Sequence, residues 1–285
     1  QNLNISRVGK FTLTEVAERT TGAIPKFYAD GTIKYYTLTI DNPGMNGFGG
    51  VASVASNASL IYSSGVINID NSVISNNNNE SSYSVNGSAI YANPAASTII
   101  TDSIFSGNNV NSTDSQSYGG AIYSTSGSNL TISNSIFTGN QATADNAAHG
   151  GAIYSYGNVN IKNSVFIDNN AESANSYAYG GALYSNGFTT IKNTVFKNNT
   201  AGSGGSSAYI YGGAISGEST NLMILTNSVF DANSAFGTAT NTNGVYGGAI
   251  FKDSGQLVLI DSVFTNNSAI SKSFRANGGA IGIHG

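Results

Sequence analysis

Few side chains in this 285-residue sequence are able to carry acid–base chemistry, and several of them share one recurrent position. Glycoside hydrolysis needs two carboxyl groups facing each other across the scissile bond. Asp70, Asp102 and Asp261 fall on a corner where equivalent segments carry Asn. Because Asp and Asn both suit a turn, we interpret these three residues as turn residues and not as catalytic acids. Other acids, such as Asp168 and Glu218, are scattered without a recurring pair.

Bases are equally sparse. A polysaccharide lyase needs a basic residue for proton abstraction, usually beside Ca²⁺-binding carboxylates. No Lys or Arg lies between Lys34 and Lys162, and the arginines are Arg7, Arg19 and Arg275. We therefore predict no catalytic residues and a protein that is not an enzyme, with a polysaccharide lyase or hydrolase as the weakest alternative.

The two histidines, His149 and His284, each precede a glycine, but neither has neighbouring metal ligands in the sequence. His149 takes a place that other repeats fill with tyrosine, namely Tyr118, Tyr179, Tyr211 and Tyr246. We therefore interpret His149 as a substitution at a tyrosine position and not as a functional histidine. Cysteine is absent, which excludes thiolate sites and disulfides. We predict no metal and no cofactor.

A recurrent aromatic position is the most suggestive candidate for binding. It is occupied by Tyr62, Tyr91, Tyr123, Tyr154, Tyr184 and Phe251, with Ser216 before the last. Strand alternation puts these rings opposite the preceding Ile or Leu. If the aliphatic residue points inward, the rings form an outer ladder able to stack on sugar rings or on a neighbouring molecule. In the alternative, they stack on each other beneath the loops.

These positions belong to about seven and a half tandem units of roughly thirty residues, and such periods are typical of solenoids. The first marker is G-G-A-I/L, as at Gly119–Ile122. The second is an aromatic residue followed three positions later by Asn. Its members are Phe105, Phe137, Phe166, Phe196, Phe230 and Phe264, with Asn140, Asn169, Asn199, Asn233 and Asn267 among the asparagines.

Each unit contains three short segments rich in β-branched and aromatic residues, and its composition disfavours helices. The pattern predicts an all-β parallel β-helix with three short strands per coil. Asn134, Asn163, Asn193 and Asn227 precede Ser or Thr and suit a bend between strands, because Asn tolerates left-handed backbone. We expect Phe and Ile to form interior ladders, and the aliphatic residues before each Phe, from Val73 to Val263, to form an outer stripe.

Residues 1–58 lack the repeat and are predicted to cap a solenoid spanning 59–285. Variable segments such as Gln141–His149, Thr200–Tyr211 and Ser234–Tyr246 are predicted to be loops projecting from one edge. The unit's opening recurs at Gly278–Gly282, so we expect the natural protein to continue beyond Gly285.

Charged residues make up only 9% of the chain and the net charge is −4. This balance, with its long interval free of basic residues, argues against nucleic acid as a partner. No apolar stretch is long enough to be a membrane-spanning helix.

The combination of G-G-A-I with F-x-x-N resembles the polymorphic outer-membrane-protein repeats of chlamydial autotransporters. It is similar also to repeats of archaeal adhesin-like surface proteins and of autotransporter passengers from gut bacteria. The resemblance covers about residues 59–285, although the family's usual scattered cysteines are absent. It implies a right-handed parallel β-helix on a cell surface (the outer membrane, for a bacterium), often with adhesive roles.

We therefore predict a secreted or surface-displayed, non-catalytic protein that acts in adhesion by binding a cell-surface glycan or protein. The alternative is self-association as a structural subunit of an extracellular fibre or surface layer.

Overall fold

A computed structural model of the chain describes residues 59–284, apart from 219, 273 and 274, together with the backbone of five strands nearer the N-terminus. All regular structure in these residues is β-strand. The strands stack into a parallel β-solenoid of about seven turns, which confirms the all-β solenoid predicted above. Across the described part of the chain, no helix has the length and apolarity needed to cross a bilayer.

Each strand pairs in parallel with the strand at the same place in the next coil, so equivalent residues lie side by side. Tyr91 is in register with Tyr123, and Tyr123 with Tyr154. Because paired strands lie ~4.8 Å apart, every repeated side chain becomes part of a column along the solenoid axis. The five parallel sheets are numbered here in the order met within one coil, beginning after the Gly pair.

Three sheets enclose the broader part of the coil. Sheet 1 contains Ile61–Ser63, Ile90–Ala92, Ile122–Ser124, Ile153–Ser155, Leu183–Ser185, Ile215–Gly217, Ile250–Lys252 and Ile281–Ile283. Sheet 2 contains Leu3–Ser6, Val66–Asp70, Ser97–Thr101, Asn129–Ser133, Asn158–Lys162, Thr189–Lys192, Met223–Thr226 and Leu257–Ile260. Sheet 3 contains Met45–Asn46, Val73–Ser75, Ile104–Ser106, Ile136–Thr138, Val165–Ile167, Val195–Lys197, Val229–Asp231 and Val263–Thr265.

Two further sheets form a narrow lobe. Sheet 4 contains Asn78–Ser81, Asn109–Ser112, Gln141–Ala144, Asn170–Ser173, Thr200–Ser203, Ser234–Gly237 and Ser268–Ser271. Sheet 5 contains Val85–Asn86, Ser117–Tyr118, Ala148–His149, Ala178–Tyr179, Tyr209–Tyr211, Gly244–Tyr246 and Arg275–Asn277.

The coil therefore has five short strands where the sequence predicts three. Sheets 4 and 5 occupy the segments predicted to be loops, which corrects that prediction. Strand Gln141–Ala144 shows the physical reason, because it alternates half-buried polar residues with buried alanines and so has a weak hydrophobic pattern. Length differences between units fall in two sets of turns. Those joining sheets 4 and 5 span three to six residues, from 145–147 to 238–243, and those joining sheets 1 and 2 range from two residues at 156–157 to at least four at 253–256.

The interior is divided into two apolar compartments. Sheets 1, 2 and 3 surround the larger one, filled by Ile, Leu, Val and Phe. Sheets 4 and 5 face each other across the smaller one, filled mostly by alanines such as Ala171, Ala178 and Ala201. Small side chains allow these two sheets to lie close together, and Ser117 Oγ donates across the lobe to Thr143 O at 2.5 Å.

A neck separates the compartments, and the Gly pair makes it possible. Gly119 has φ +63°, in the region that favours glycine. At Gly120, a Cβ atom would lie 2.1 Å from Gly151 O and 2.6 Å from Gln141 N. The backbone entering sheet 1 therefore touches the backbone entering sheet 4, and no side chain fits between them.

An asparagine ladder, buried except at the half-buried Asn267, fills the other side of the neck; its members are Asn77, Asn108, Asn140, Asn169, Asn199, Asn233 and Asn267. Asn140 Nδ2 donates to Asn169 Oδ1 (2.9 Å) and to Phe105 O (3.0 Å), and Asn140 N donates to Asn169 Oδ1 (3.1 Å). Asn169 repeats this pattern with Asn199 and Phe137. Each central amide thus uses both donors and both lone pairs.

The phenylalanines form a continuous interior column beside that ladder. Adjacent ring centroids from Phe105 to Phe264 are 4.8–4.9 Å apart and their planes differ by at most 10°. The rings are fully buried from Phe105 to Phe230, and Phe264 in the last described coil is half-buried. The spacing of the rings therefore matches the ~4.8 Å spacing of the paired strands.

The corner between sheets 2 and 3 has left-handed backbone at its Asn or Asp. Asn134, Asn163, Asn193 and Asn227 have φ between 47° and 51°. Their exposed amides bond along the axis, as in Asn163 Nδ2 to Asn134 Oδ1 (3.2 Å) and Asn193 Nδ2 to Asn163 Oδ1 (3.0 Å). Asp102 and Asp261 share the same φ of 47°.

The aliphatic stripe that we predicted to be exposed is largely buried. Val73 and Ile104 have no accessible surface, and with Ile136 they form a small apolar cluster of their own, separate from the main core. Contacts along the column cover these side chains, and Val263 is exposed only because it belongs to the last described coil.

The N-terminal strands extend the first coil. Leu3–Ser6 pairs in parallel with Val66–Asp70 in sheet 2, and Met45–Asn46 pairs with Val73–Ser75 in sheet 3. Lys10–Val16, Ile33–Asp41 and Ile24–Phe27 form an antiparallel sheet in that order. Most of the predicted cap, including residues 47–58, lies outside the described residues, so the cap stays a prediction.

Replacement of Asn169 by Ala tests the asparagine ladder. Asn140 N would lose its acceptor inside the protein, Asn140 Nδ2 would lose one of its two acceptors, and Phe137 O would lose a donor. We expect the free energy of unfolding, measured by chemical denaturation, to fall by about 3 kcal/mol. Asn163→Gly is the matched control because it keeps the left-handed backbone and removes only exposed bonds; a loss below about 1 kcal/mol is expected there. Equal losses would contradict the ladder's role.

Candidate functional site

Two aromatic columns fill the corner where sheet 5 passes through the Gly pair into sheet 1. The sheet 1 column contains Tyr62, Tyr91, Tyr123, Tyr154, Tyr184 and Phe251, with Ser216 between the last two. The sheet 5 column contains Tyr118, His149, Tyr179, Tyr211 and Tyr246. Strand alternation sends the neighbouring aliphatic residues into the two compartments and these rings into the corner.

Rings within each column stack on their counterparts one coil away. In the sheet 1 column, the centroid distances from Tyr62 to Tyr184 are 5.0, 4.8, 5.1 and 4.7 Å. His149 lies between Tyr118 and Tyr179 in the sheet 5 column, with centroids 4.9 and 4.5 Å away. Stacking covers the ring faces and leaves mainly edges and hydroxyl groups toward solvent.

The two columns also pack edge to face. His149 meets Tyr184 at 5.3 Å and 90°, and Tyr179 meets Tyr184 at 6.0 Å and 85°. This geometry matches the preferred arrangement of the aromatic quadrupoles. As a result Tyr154 and Tyr184 are each 4% exposed and Phe251 is 3% exposed.

The candidate binding face is therefore shorter than the sequence predicts. Tyr62 is 56% exposed and Tyr91 and Tyr123 are half-buried, whereas Tyr154, Tyr184 and Phe251 are not accessible to a partner. The sheet 5 column causes this difference. It begins at Tyr118, because the preceding coil has Asn86 at that place. The sequence signal of this second column is the tyrosine that precedes most Gly pairs.

His149 is held neutral by its surroundings. Burial of the imidazole between two tyrosine rings lowers the pKa of His149 to about 3. Its Nδ1 is buried and has no hydrogen-bond partner among the described residues. The ring behaves as an aromatic member of the column.

Ser216 interrupts the sheet 1 column. It lies in register between Tyr184 and Phe251, and its buried hydroxyl has no hydrogen-bond partner in the described part of the chain. Glu218 stands at this gap, and Tyr184 Oη donates to Glu218 Oε2 at 3.3 Å. Burial raises the pKa of Glu218 to about 7. Burial, and then the Glu218 charge, raise the pKa of Tyr211.

Other ionisable groups are dispersed. Lys197 Nζ lies 3.6 Å from Asp231 Oδ2 in the next coil, and this nearly buried pair bridges two strands of sheet 3. Exposed His284 Nδ1 lies 3.1 Å from Asp253 Oδ1. Within the described ranges, no three His, Asp or Glu side chains form a group that could hold a metal ion.

Comparison with known proteins agrees with the geometry of the repeat. Two segments, residues 102–125 and 134–156, match the Chlamydia polymorphic membrane protein repeat. Each begins at the corner between sheets 2 and 3 and ends just beyond sheet 1. Together with the solenoid fold, they confirm the resemblance seen in the sequence. No curated protein and no solved structure matches the chain.

The buried imidazole predicts acid sensitivity. An unfolded chain protonates His149 near pH 6.5, whereas the folded chain does so near pH 3, so stability falls as pH falls between these values. Between pH 7 and pH 4, we expect the free energy of unfolding to fall by about 3 kcal/mol less in His149→Tyr than in the native protein. Denaturation curves across this range measure the effect. His284→Tyr, at an exposed site, should follow the native protein; parallel curves for all three proteins would refute the prediction.

Glu218 predicts the opposite dependence. Its pKa is about 7 in the folded chain and 4.5 when unfolded, so the native state holds the extra proton. The associated stability is fully present below pH 4.5 and is lost as pH rises through 7. Relative to the native protein, Glu218→Gln should be more stable at pH 8 than at pH 5, by about 2 kcal/mol. Glu172→Gln, on an exposed part of sheet 4, provides the control, and a pH-independent difference for Glu218→Gln would contradict the assignment.

Proposed function

We propose that this chain is the non-catalytic, adhesive part of a secreted or cell-surface protein, wound in the right-handed sense that the repeat resemblance implies. The polymorphic membrane protein repeats support surface display. The single observation that supports adhesion is where the repeat units differ from one another. The strands and the Gly-pair corner repeat closely, whereas the turns between sheets 4 and 5, like those between sheets 1 and 2, differ in length and sequence. The turns between sheets 4 and 5 all lie at one edge of the lobe.

These turns offer suitable groups for a glycan or protein partner. They carry exposed polar side chains such as Asp114 and Asn175. Tyr83 lies in the first turn, is 59% exposed and has no stacked ring partner among the described residues. Tyrosine supplies apolar area and a hydroxyl group at low entropic cost, which suits recognition. In contrast, most rings of the two columns have their faces covered.

A second candidate is a structural subunit whose molecules associate into an extracellular fibre or surface layer. Light scattering discriminates the candidates, because a strict monomer at high concentration would eliminate assembly.

Binding to glycan arrays and to cultured host cells tests adhesion. We expect Tyr83→Ala to lower binding at least roughly fivefold, by loss of an exposed ring with a free face. Tyr154→Phe is the control because that buried ring contacts no partner, and its binding should equal that of the native protein. Adhesion through the turns is contradicted if simultaneous replacement of the 82–84 and 174–177 turns by Gly-Ser segments leaves binding unchanged.

A further inference from the structure

Phe236 is an isolated aromatic ring on the outer face of sheet 4. In the strand Ser234–Gly237, Ala235 packs into the smaller compartment, so strand alternation places Phe236 on the outside, where it is half-buried. No other aromatic ring contacts it within the described residues. The residues in register with it are Glu80, Asn111, Thr143, Glu172, Gly202 and Ile270. This ring therefore differs from those of the two aromatic columns, which cover one another.

Gly202, in register with Phe236 one coil earlier, determines how this ring lies. A Cβ atom at Gly202 would be 2.7 Å from Phe236 Cε2 and 2.9 Å from Cε1, and closer still to Cζ. Because both Cε atoms are almost as close as Cζ, the Cβ position lies against the face of the ring and not at its tip. The ring therefore lies over the glycine backbone, with one face on Gly202 and the other directed away from the sheet.

A hydrogen-bonded set of polar side chains lies beside the ring. Glu172 is exposed and is paired with Gly202, so their backbones are ~4.8 Å apart. Asn170 Nδ2 donates to Glu172 Oε2 at 3.1 Å, and Thr200 Oγ1 donates to Asn170 Oδ1 at 2.8 Å. These bonds orient the three side chains. They leave the second Nδ2 proton of Asn170 and the Oε1 atom of Glu172 without a partner among the described residues.

An uncovered ring face beside an oriented amide and carboxylate matches the two sides of a sugar. The electron-rich face of an aromatic ring attracts polarised C–H groups, and the amide and carboxylate supply a donor and a charged acceptor for hydroxyl groups. We propose that this part of sheet 4 binds a neutral hexopyranose, with its C–H face on Phe236 and its hydroxyl groups on Asn170 and Glu172. The Glu172 carboxylate and the net charge of −4 disfavour anionic sugars.

The biological use of this site rests on the proposed adhesive function, and the site names the class of glycan. Its side chains belong to the strands Asn170–Ser173, Thr200–Ser203 and Ser234–Gly237, and not to the turns that join sheets 4 and 5. Binding of a free sugar can therefore be measured separately from the adhesion of cells.

Saturation-transfer NMR on the whole chain tests the proposal, with methyl β-galactopyranoside, methyl β-glucopyranoside and sialic acid as probes. We expect transfer to the C–H protons on one face of at least one neutral sugar, and none to sialic acid. Absence of transfer to both neutral sugars, or equal transfer to sialic acid, would overturn the proposal. If cell adhesion still depends on the turns in that case, the proposed function survives without this site; sugar binding without cell adhesion gives the reverse result.

Two variants test the residues. Phe236→Leu keeps apolar cover over Gly202 but removes the flat ring, and it should weaken sugar binding roughly tenfold while the melting temperature changes little. Glu172→Ala, at an exposed position, should weaken binding by a similar factor. Ile270→Ala is the matched control, since Ile270 is exposed at the same place one coil further, and it should bind like the native protein. Native affinity in folded Phe236→Leu or in Glu172→Ala would exclude the site and leave Phe236 only a packing role.

Discussion

The parallel register between successive coils is the constraint on which the rest of the structure depends. It places each residue ~4.8 Å from its counterpart, so the protein must be built from columns of like side chains. Phenyl rings, amides and small aliphatic groups attract their own kind at this distance, whereas like charges repel. This explains a chain with only 9% charged residues. Where charges occur inside, the register alternates them, as with Lys197 beside Asp231.

The neck shows how two different columns cooperate. The asparagine ladder satisfies its own amides and the carbonyl groups of sheet 3, and among its described side-chain atoms only Asn77 Oδ1, in the first coil, is buried without a partner. The Gly pair opposite lets the backbones of sheets 1 and 4 touch. Together they separate the larger compartment from the smaller one. The outer side of that neck is concave, and this concavity is where the two aromatic columns meet.

The sequence predicts the parts of this fold that depend on strong periodic signals. The G-G-A-I and F-x-x-N markers predict parallel stacking and about seven turns, because only in-register coils place such markers together. Sheets 4 and 5 escape prediction since alanine and serine give a weak alternation. Burial of Tyr154 and Tyr184 depends on the lobe folding back beside sheet 1, and no local pattern encodes that contact. The aromatic residue missing at Ser216 is visible in the sequence, but the contact of Glu218 with Tyr184 is visible only in the structure.

The direction of the inter-coil hydrogen bonds has a mechanical consequence. They run along the solenoid axis, from each coil to the next, and the asparagine ladder runs with them. Tension applied between the two ends of the chain therefore acts on the hydrogen bonds of one coil boundary at a time, and the coils detach one after another. Each released coil replaces a rise of ~4.8 Å with roughly 100 Å of extended chain. A molecule tethered under flow would thus lengthen in steps and dissipate load while its remaining coils stay folded.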